Sequence, residues 1–223
     1  MNKFKVFYVA LSLLTALNIN ASELVLDSFN YVPDLDIVAN PTPGSQVVTA
    51  TSISAETGAL ADYTLEWLSG TASITAEGNK FNSGSLSYAE GPLSDGTLEI
   101  AYSLPGAGTL DFTGFSDFFF DVVAIDGSGG FDLMLTLEDF DGTQISASYN
   151  IASTGVFLAS FASMMPGVDF DFTQVLSSTA FITSNGDGDD FTLDAVGLIP
   201  EPSALAILGL GLIGLGLRRR KLV

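Results

Sequence analysis

The side chains in this chain that could carry chemistry are nearly all oxygen-bearing. Cysteine and histidine are absent. Disulfides, thiolate nucleophiles, a Ser-His-Asp triad and imidazole-held transition metals are therefore excluded. Carboxylates, hydroxyls, Lys80 and hard oxygen-bound cations remain. Calcium, which takes about six to eight oxygen ligands, is the metal this composition invites. Two loops offer closely spaced acids: Asp139-Phe140-Asp141-Gly142 and Asp187-Gly188-Asp189-Asp190. Neither completes an EF-hand loop, which needs a Glu at its twelfth position. Asp-Gly pairs also form turns with no ligand, because both residues tolerate unusual dihedrals.

Paired carboxylates could also hydrolyse a glycosidic bond if two of them stood about 5–9.5 Å apart. With 26 acidic residues, some pair reaches that distance by chance. No Gly-x-Ser-x-Gly elbow or phosphate loop lies in the body of the chain. Glycan binding calls for aromatic faces beside polar groups. Trp67 is the one tryptophan and the candidate ligand-binding residue, with Tyr63, Tyr88, Tyr102 and Tyr149 as helpers. A lone Trp in a β protein is equally a core residue.

Charge divides the chain into three parts. Six of its seven basic residues lie at the ends: Lys3, Lys5, Arg218, Arg219, Arg220 and Lys221. Residues 22–199 hold 25 acids against Lys80 alone, a formal charge of −24. Such a body repels phosphate backbones, which excludes nucleic acid as a partner, and stays soluble through self-repulsion.

Both ends read as targeting segments. Residues 1–21 have the form of a secretory signal peptide. Lys3 and Lys5 are its basic start, Val6 to Leu17 its apolar stretch, and Ala21 the small residue before cleavage. The other end carries Pro200-Glu201-Pro202, an apolar run over Ser203–Leu217 and then Arg218-Arg219-Arg220-Lys221. Fifteen residues make a helix of about 22 Å, short of the roughly 30 Å hydrocarbon core. Snorkelling arginines and local thinning would cover the deficit, and the basic cluster would stay in the cytoplasm. Gly209-Leu210-Gly211-Leu212-Ile213-Gly214 matches a dinucleotide fingerprint literally, but no strand–turn–helix unit surrounds it.

These three ordered parts over 199–221 resemble the PEP-CTERM sorting signal of Gram-negative bacteria. The resemblance implies recognition by an exosortase after export through the secretion machinery. It also implies transient anchoring in the inner membrane, removal of the tail near Pro200-Glu201-Pro202, and delivery to the outer surface or extracellular matrix. Association with exopolysaccharide is implied as well.

Between the ends, the sequence reads as β throughout. Phe131, Leu133, Leu135 and Leu137 alternate with Asp132, Met134, Thr136 and Glu138, the period of a half-buried strand. Asp141-Gly142 predicts a hairpin into Thr143–Ile151. Asp117–Ile125 is a strand whose Phe118-Phe119-Phe120 predicts burial on both faces, and 126–130 turns it back. Thr179–Thr183 and Asp190–Leu198 read as a closing pair. Pro33–Gly44, with three prolines, reads as a loop after strand Glu23–Phe29. The expectation is one all-β domain over 22–198, a jelly-roll-like β-sandwich, between a signal peptide and a C-terminal hydrophobic helix at 203–217.

Leu24–Phe29, Leu110–Phe115, Val168–Phe172 and Phe191–Val196 occur in an order similar to galactose-binding-like jelly rolls, which include many carbohydrate-binding modules. That resemblance spans 23–198. It implies a structural calcium tying the first strand to the last, with Asp27 or Asn30 and Asp194 at the matching positions; the family often has an acid where Asn30 stands. Three functions remain open: a non-catalytic surface or matrix protein among exopolysaccharide, a carbohydrate-binding module with a defined glycan, or a carboxylate hydrolase.

Overall fold

The computed structural model describes residues 23–30, 35–40, 46–55, 58–78, 84–127, 129–164, 169–186 and 188–201. The expected signal peptide, Pro202, the 203–217 helix and Arg218–Lys221 lie outside the described residues. Among those described, no helix is long and apolar enough to cross a membrane.

The strands are β1 Leu24–Asp27, β2 Asp36–Ala39, β3 Gln46–Ser54, β4 Leu60–Ser69, β5 Ile74–Gly78, β6 Leu86–Glu90 and β7 Asp95–Ser103, then β8 Phe115–Asp126, β9 Phe131–Asp139, β10 Gln144–Ile151, β11 Gly155–Ser160, β12 Val175–Ser184 and β13 Asp190–Pro200. A short α-helical turn, α1, covers Phe161–Met164, and a 3-10 turn covers Pro105–Ala107. Two sheets form a sandwich. One runs β11-β8-β13-β6-β5-β2 with β1 also beside β13, and the other runs β10-β9-β12-β7-β4-β3. The domain is thus the all-β, jelly-roll-like sandwich expected.

Period-2 alternation builds the core. In β4, Tyr63, Leu65 and Trp67 turn inward while Thr64 and Glu66 do not. In β9, Phe131, Leu133, Leu135 and Leu137 do the same. They meet Leu26, Leu86, Phe118, Phe120, Leu193 and Leu198 from the other sheet. Each such side chain, fully buried, contributes about 1.5–3 kcal/mol. Phe118, Phe119 and Phe120 are all buried, so β8 is covered on both faces as read from the sequence.

Two connections differ from expectation. β12 and β13 do not pair: β12 lies between β7 and β9 in one sheet, and β13 lies beside β8, β6 and β1 in the other. The chain likewise crosses between sheets from β8 to β9. A glycine-rich acidic turn has the same composition whether it closes a hairpin or bridges two layers, so local sequence does not separate the cases. The Asp141-Gly142 hairpin does form, with Gln144 opposite Glu138 and Gly142 in the left-handed region at φ 81°. The segment read as a loop at 33–44 contains β2, whose Ile37 and Ala39 are buried and which pairs with β5.

β1 is antiparallel to β13, with Leu24 opposite Leu198. The first and last strands therefore meet, and both ends of the body emerge at one pole. The starts of β8, β10 and β12 share that pole. The opposite, distal pole carries the connections after β6, β8 and β12, tied by Asn185 N–H to Gly130 O (3.1 Å) and Gly188 N–H to Ser94 O (3.2 Å).

Candidate functional site

Of the expected sorting residues, Pro200 and Glu201 are described. β13 runs past the expected boundary at 198, with Ile199 opposite Asp117 and Pro200 opposite Phe115. Glu201 N–H then donates to Gly114 O at 2.8 Å. Glu201 borders a cavity of about 420 Å³ walled by Phe112, Phe115, Phe161 and Phe172. The acidic member of the motif thus sits on the rim of the folded body.

Asp27 and Asp194 occupy opposite environments. Asp27 is 1 % exposed, between the sheets. Its Oδ1 accepts from Phe29 N–H (2.7 Å) and its Oδ2 from the Tyr63 hydroxyl (2.8 Å). The first bond holds buried Phe29 in the left-handed region at φ 55°. The second joins β1 to β4 across the core. Burial, and then the Asp27 charge, push the Tyr63 phenol far above its usual range, so it stays a neutral donor. Asp194 is exposed on β13, at an irregularity in the ladder. Asn30 is also exposed, and its amide donates to Ser28 Oγ at 2.8 Å. Among the described residues no group of three or more acids is arranged to hold a metal.

The two acidic loops each carry an organising carboxylate. Asp139, 2 % exposed, closes the hairpin. Its Oδ1 accepts from Asp141 N–H (3.1 Å) and Thr143 N–H (2.8 Å), and its Oδ2 from Asp171 N–H (3.1 Å). Burial pushes its pKa up, but these bonds outweigh burial and hold it below the usual carboxylate range. In the second loop, Asp187 lies outside the described residues. Asp189 is 8 % exposed and packs so closely on Gly127 that a Cβ there would lie 1.8 Å from its Oδ1. Asp190 Oδ1 accepts from Glu90 N–H at 2.9 Å.

Glu90 was not singled out by sequence, yet it is a second bridge between the sheets. Its Oε1 accepts from the Tyr88 hydroxyl (2.5 Å), Gly96 N–H (2.9 Å) and the Ser184 hydroxyl (2.8 Å). Its Oε2 is buried without a hydrogen-bond partner. Burial pushes its pKa up by more than the bonds from Tyr88, Ser184 and Gly96 pull it down, and Asp95 adds to the rise.

Trp67 is 8 % exposed and part of the core, with its indole N–H donating to Ala72 O at 3.1 Å. Tyr63, Tyr88 and Tyr102 are fully buried. Tyr149 is half-buried, stacks edge-on to Phe157 and bonds Ser163 Oγ at 2.6 Å. Trp67, Tyr63, Tyr88 and Tyr102 are thus core residues, while Tyr149 borders the cleft on the outer sheet face.

The outer face of the six-stranded sheet offers what those aromatics do not. Register aligns Ser148, Met134, Phe181, Glu99, Thr64 and Thr49 in one row across all six strands. At about 4.8 Å per strand, that row is roughly 24 Å long. Toward the distal pole, Asp132, Met134, Ser148, Asn150, Phe181 and Thr183 line a shallow cleft of about 280 Å³. Met134 is 43 % exposed. Asp132 Oδ1 accepts from the Asn150 amide (3.0 Å) and the Asn185 amide (3.2 Å), which hold its carboxyl below the usual range. The signal for this site was in the sequence: Met134 and Phe181 are large apolar residues at outward positions of alternating strands.

A search of curated proteins gives no match. Among solved structures, the chain is similar to the family 11 carbohydrate-binding module of the cellulosomal cellulase Lic26A-Cel5E of Clostridium thermocellum, at 20 % identity and TM-score 0.39, covering 80 % of this chain and 95 % of that one. It is similar to the family 30 carbohydrate-binding module of Cel9D-Cel44B of the same organism, at 10 % identity and TM-score 0.38, covering 81 % and 98 %. An exo-β-agarase matches at 13 % identity and TM-score 0.43, over 81 % of this chain and 26 % of that one. Residues 198–221 match the family model of the PEP-CTERM protein-sorting motif, which marks the chain for export through a sorting system to the cell surface and for processing by an exosortase.

Proposed function

We propose that this is a non-catalytic protein of the cell surface or extracellular matrix that meets neutral polysaccharide along the outer face of its six-stranded sheet. The observation carrying this reading is the cleft around Met134 and Phe181, where an apolar floor adjoins the Asp132, Asn150 and Ser148 polar groups. Apolar surface with a few fixed polar groups is what a small-molecule or glycan site requires. The acids on this face, Asp62, Glu66, Glu99, Asp132 and Glu138, accept hydrogen bonds from hydroxyls and repel uronate or sulfate. The cleft lies toward the distal pole, away from the tail, so a body attached through residue 201 turns it outward.

Retention of the mature protein on immobilised neutral and anionic polysaccharides tests the reading. Binding to a neutral polymer that falls about tenfold, near 1.4 kcal/mol, in Phe181→Ala supports it. Equal retention by wild type and variant, or preference for the anionic polymer, contradicts it.

A further inference from the structure

An open sheet ends in edge strands, and an unguarded edge accepts another strand. Among the described residues, β11 is an edge of the seven-stranded sheet with β8 as its one neighbour. The other edge strands are guarded. At the far end of the same sheet, β2 has four residues and begins on exposed Asp36. In the six-stranded sheet, β3 is broken by a register shift between Ala50 and Ile53, and β10 turns Gln144, Ser146, Ser148 and Asn150 to solvent. β11, Gly-Val-Phe-Leu-Ala-Ser, has no charge and no proline. Its rungs with β8 run unbroken from Gly155 opposite Val122 to Ser160 opposite Asp117. Its outward side chains are Val156 and Leu158, 60 % and 47 % exposed.

Charge narrows the choice of occupant. Residues 142–164 hold no charged side chain, in a body of formal charge −24. That stretch contains β10, β11 and α1, one flank of the sandwich, where the Tyr149 and Phe157 rings meet at 5.3 Å. A basic partner finds no acid on these strands, whereas a second copy, acidic elsewhere, meets little repulsion across them. The nearest acids on the outer face, Asp117 and Asp121, belong to β8. When two β11 strands pair, these acids lie three strand spacings or more from those of the other copy, about 14 Å. That exceeds the Debye length of about 8 Å at physiological salt.

The Ser160 carbonyl already accepts from the Tyr149 hydroxyl (3.3 Å) and the Ser163 hydroxyl (2.6 Å), which leaves 155–159 as the usable edge. Antiparallel pairing about a twofold axis then centres on Phe157 and sets Val156 against Leu158 of the partner subunit, and Leu158 against the partner subunit's Val156. Exposed aliphatic side chains cover one another beside buried Phe119, which stands opposite Leu158. We infer that the free edge of β11 is a homodimer interface, through which two copies join their seven-stranded sheets into one.

The mature protein, recovered from the surface fraction of the cells that make it, is taken to about 100 μM, where contacts of micromolar strength are populated. Sedimentation equilibrium gives its mass in about 0.1 M and about 1 M salt. The expected mass is twice that of one mature chain, with more dimer at the higher salt, because screening relieves the acidic bodies and leaves the apolar contact. Leu158→Glu and Val156→Glu each bring an unpaired acid into the seam and should raise the dimer Kd about tenfold or more. Both positions are exposed, so Tm should stay within about 2 °C of wild type. A single-chain mass for wild type in both salts overturns the inference. So does a dimer that both variants leave intact, one that high salt dissolves, or growth beyond two copies.

Discussion

The Tyr63 hydroxyl donates to Asp27 Oδ2 at 2.8 Å, joining β4 of one sheet to β1 of the other through the core. Tyr63→Phe removes one buried donor to the Asp27 carboxylate. The expected cost is about 2 kcal/mol, a fall of about 4–8 °C in Tm for a domain of this size. Asp27→Ala should cost more, because it also releases the left-handed turn at Phe29. Thermal unfolding followed by circular dichroism measures both, and equal Tm values for wild type and Tyr63→Phe would remove this bridge from the account of stability.

Glu90 separates two kinds of loss. Glu90→Ala orphans the Tyr88, Gly96 and Ser184 donors and should cost about 3 kcal/mol. Glu90→Gln keeps an acceptor and removes a charge. Because the folded pKa is raised, the stability tied to Glu90 is complete below its unfolded value, about 4.3, and is lost as pH rises through the folded value. The Gln variant should match wild type near pH 4 and exceed it at pH 7. Chemical denaturation at the two pH values reads the difference.

Asp139 has the opposite sign. Its folded pKa is depressed, so its contribution is present above about pH 4 and lost as pH falls through the folded value. Asp139→Asn should lower Tm at pH 7 and converge with wild type once pH falls below the depressed folded value. A gap that stays constant across this range would show that the carboxylate charge is immaterial to the hairpin.

Calcium is tested without mutation. Both Asp27 oxygens already accept hydrogen bonds, while Asn30 and Asp194 are exposed. We expect Tm to shift by less than about 1 °C between calcium and chelator, since a ligand bound at 100 times its Kd would add about 2.7 kcal/mol. A rise of several degrees with calcium would instead establish a bound ion.

The sorting motif predicts a double dependence. Deleting Arg218–Lys221 should leave an unprocessed chain, because the basic cluster pins the apolar run. Replacing Glu201 with Gln tests the acidic position without shortening the tail. Intact mass of the cell-associated protein follows each, and normal processing of the deletion would contradict the role given to the cluster.

Strand content was legible because period-2 alternation is local: Phe131, Leu133, Leu135 and Leu137 point inward as their spacing indicates. Layer assignment was not. The loop at 185–189 reads as a hairpin turn, but its flanking strands find partners far away in sequence, Phe181 opposite Glu99 and Phe191 opposite Tyr88. Glu90 was overlooked because one acid among 26 carries no sign of burial; its partners come from three strands. Trp67, Tyr63 and Tyr102 are aromatics that alternate in phase with Leu65 and Leu98 and are core. Met134 and Phe181, out of phase with the core, mark the exposed face.

β13 lies inside the larger sheet, flanked by β8 on one side and by β6 and β1 on the other, yet it is the last of the described strands to leave the ribosome. Until residue 200 has crossed the membrane, half of the sandwich lacks the rib that its earlier strands assemble around. Maturation of this protein is therefore timed by its own topology: the domain completes itself only when export of its final strand is done, at the moment the sorting tail arrives.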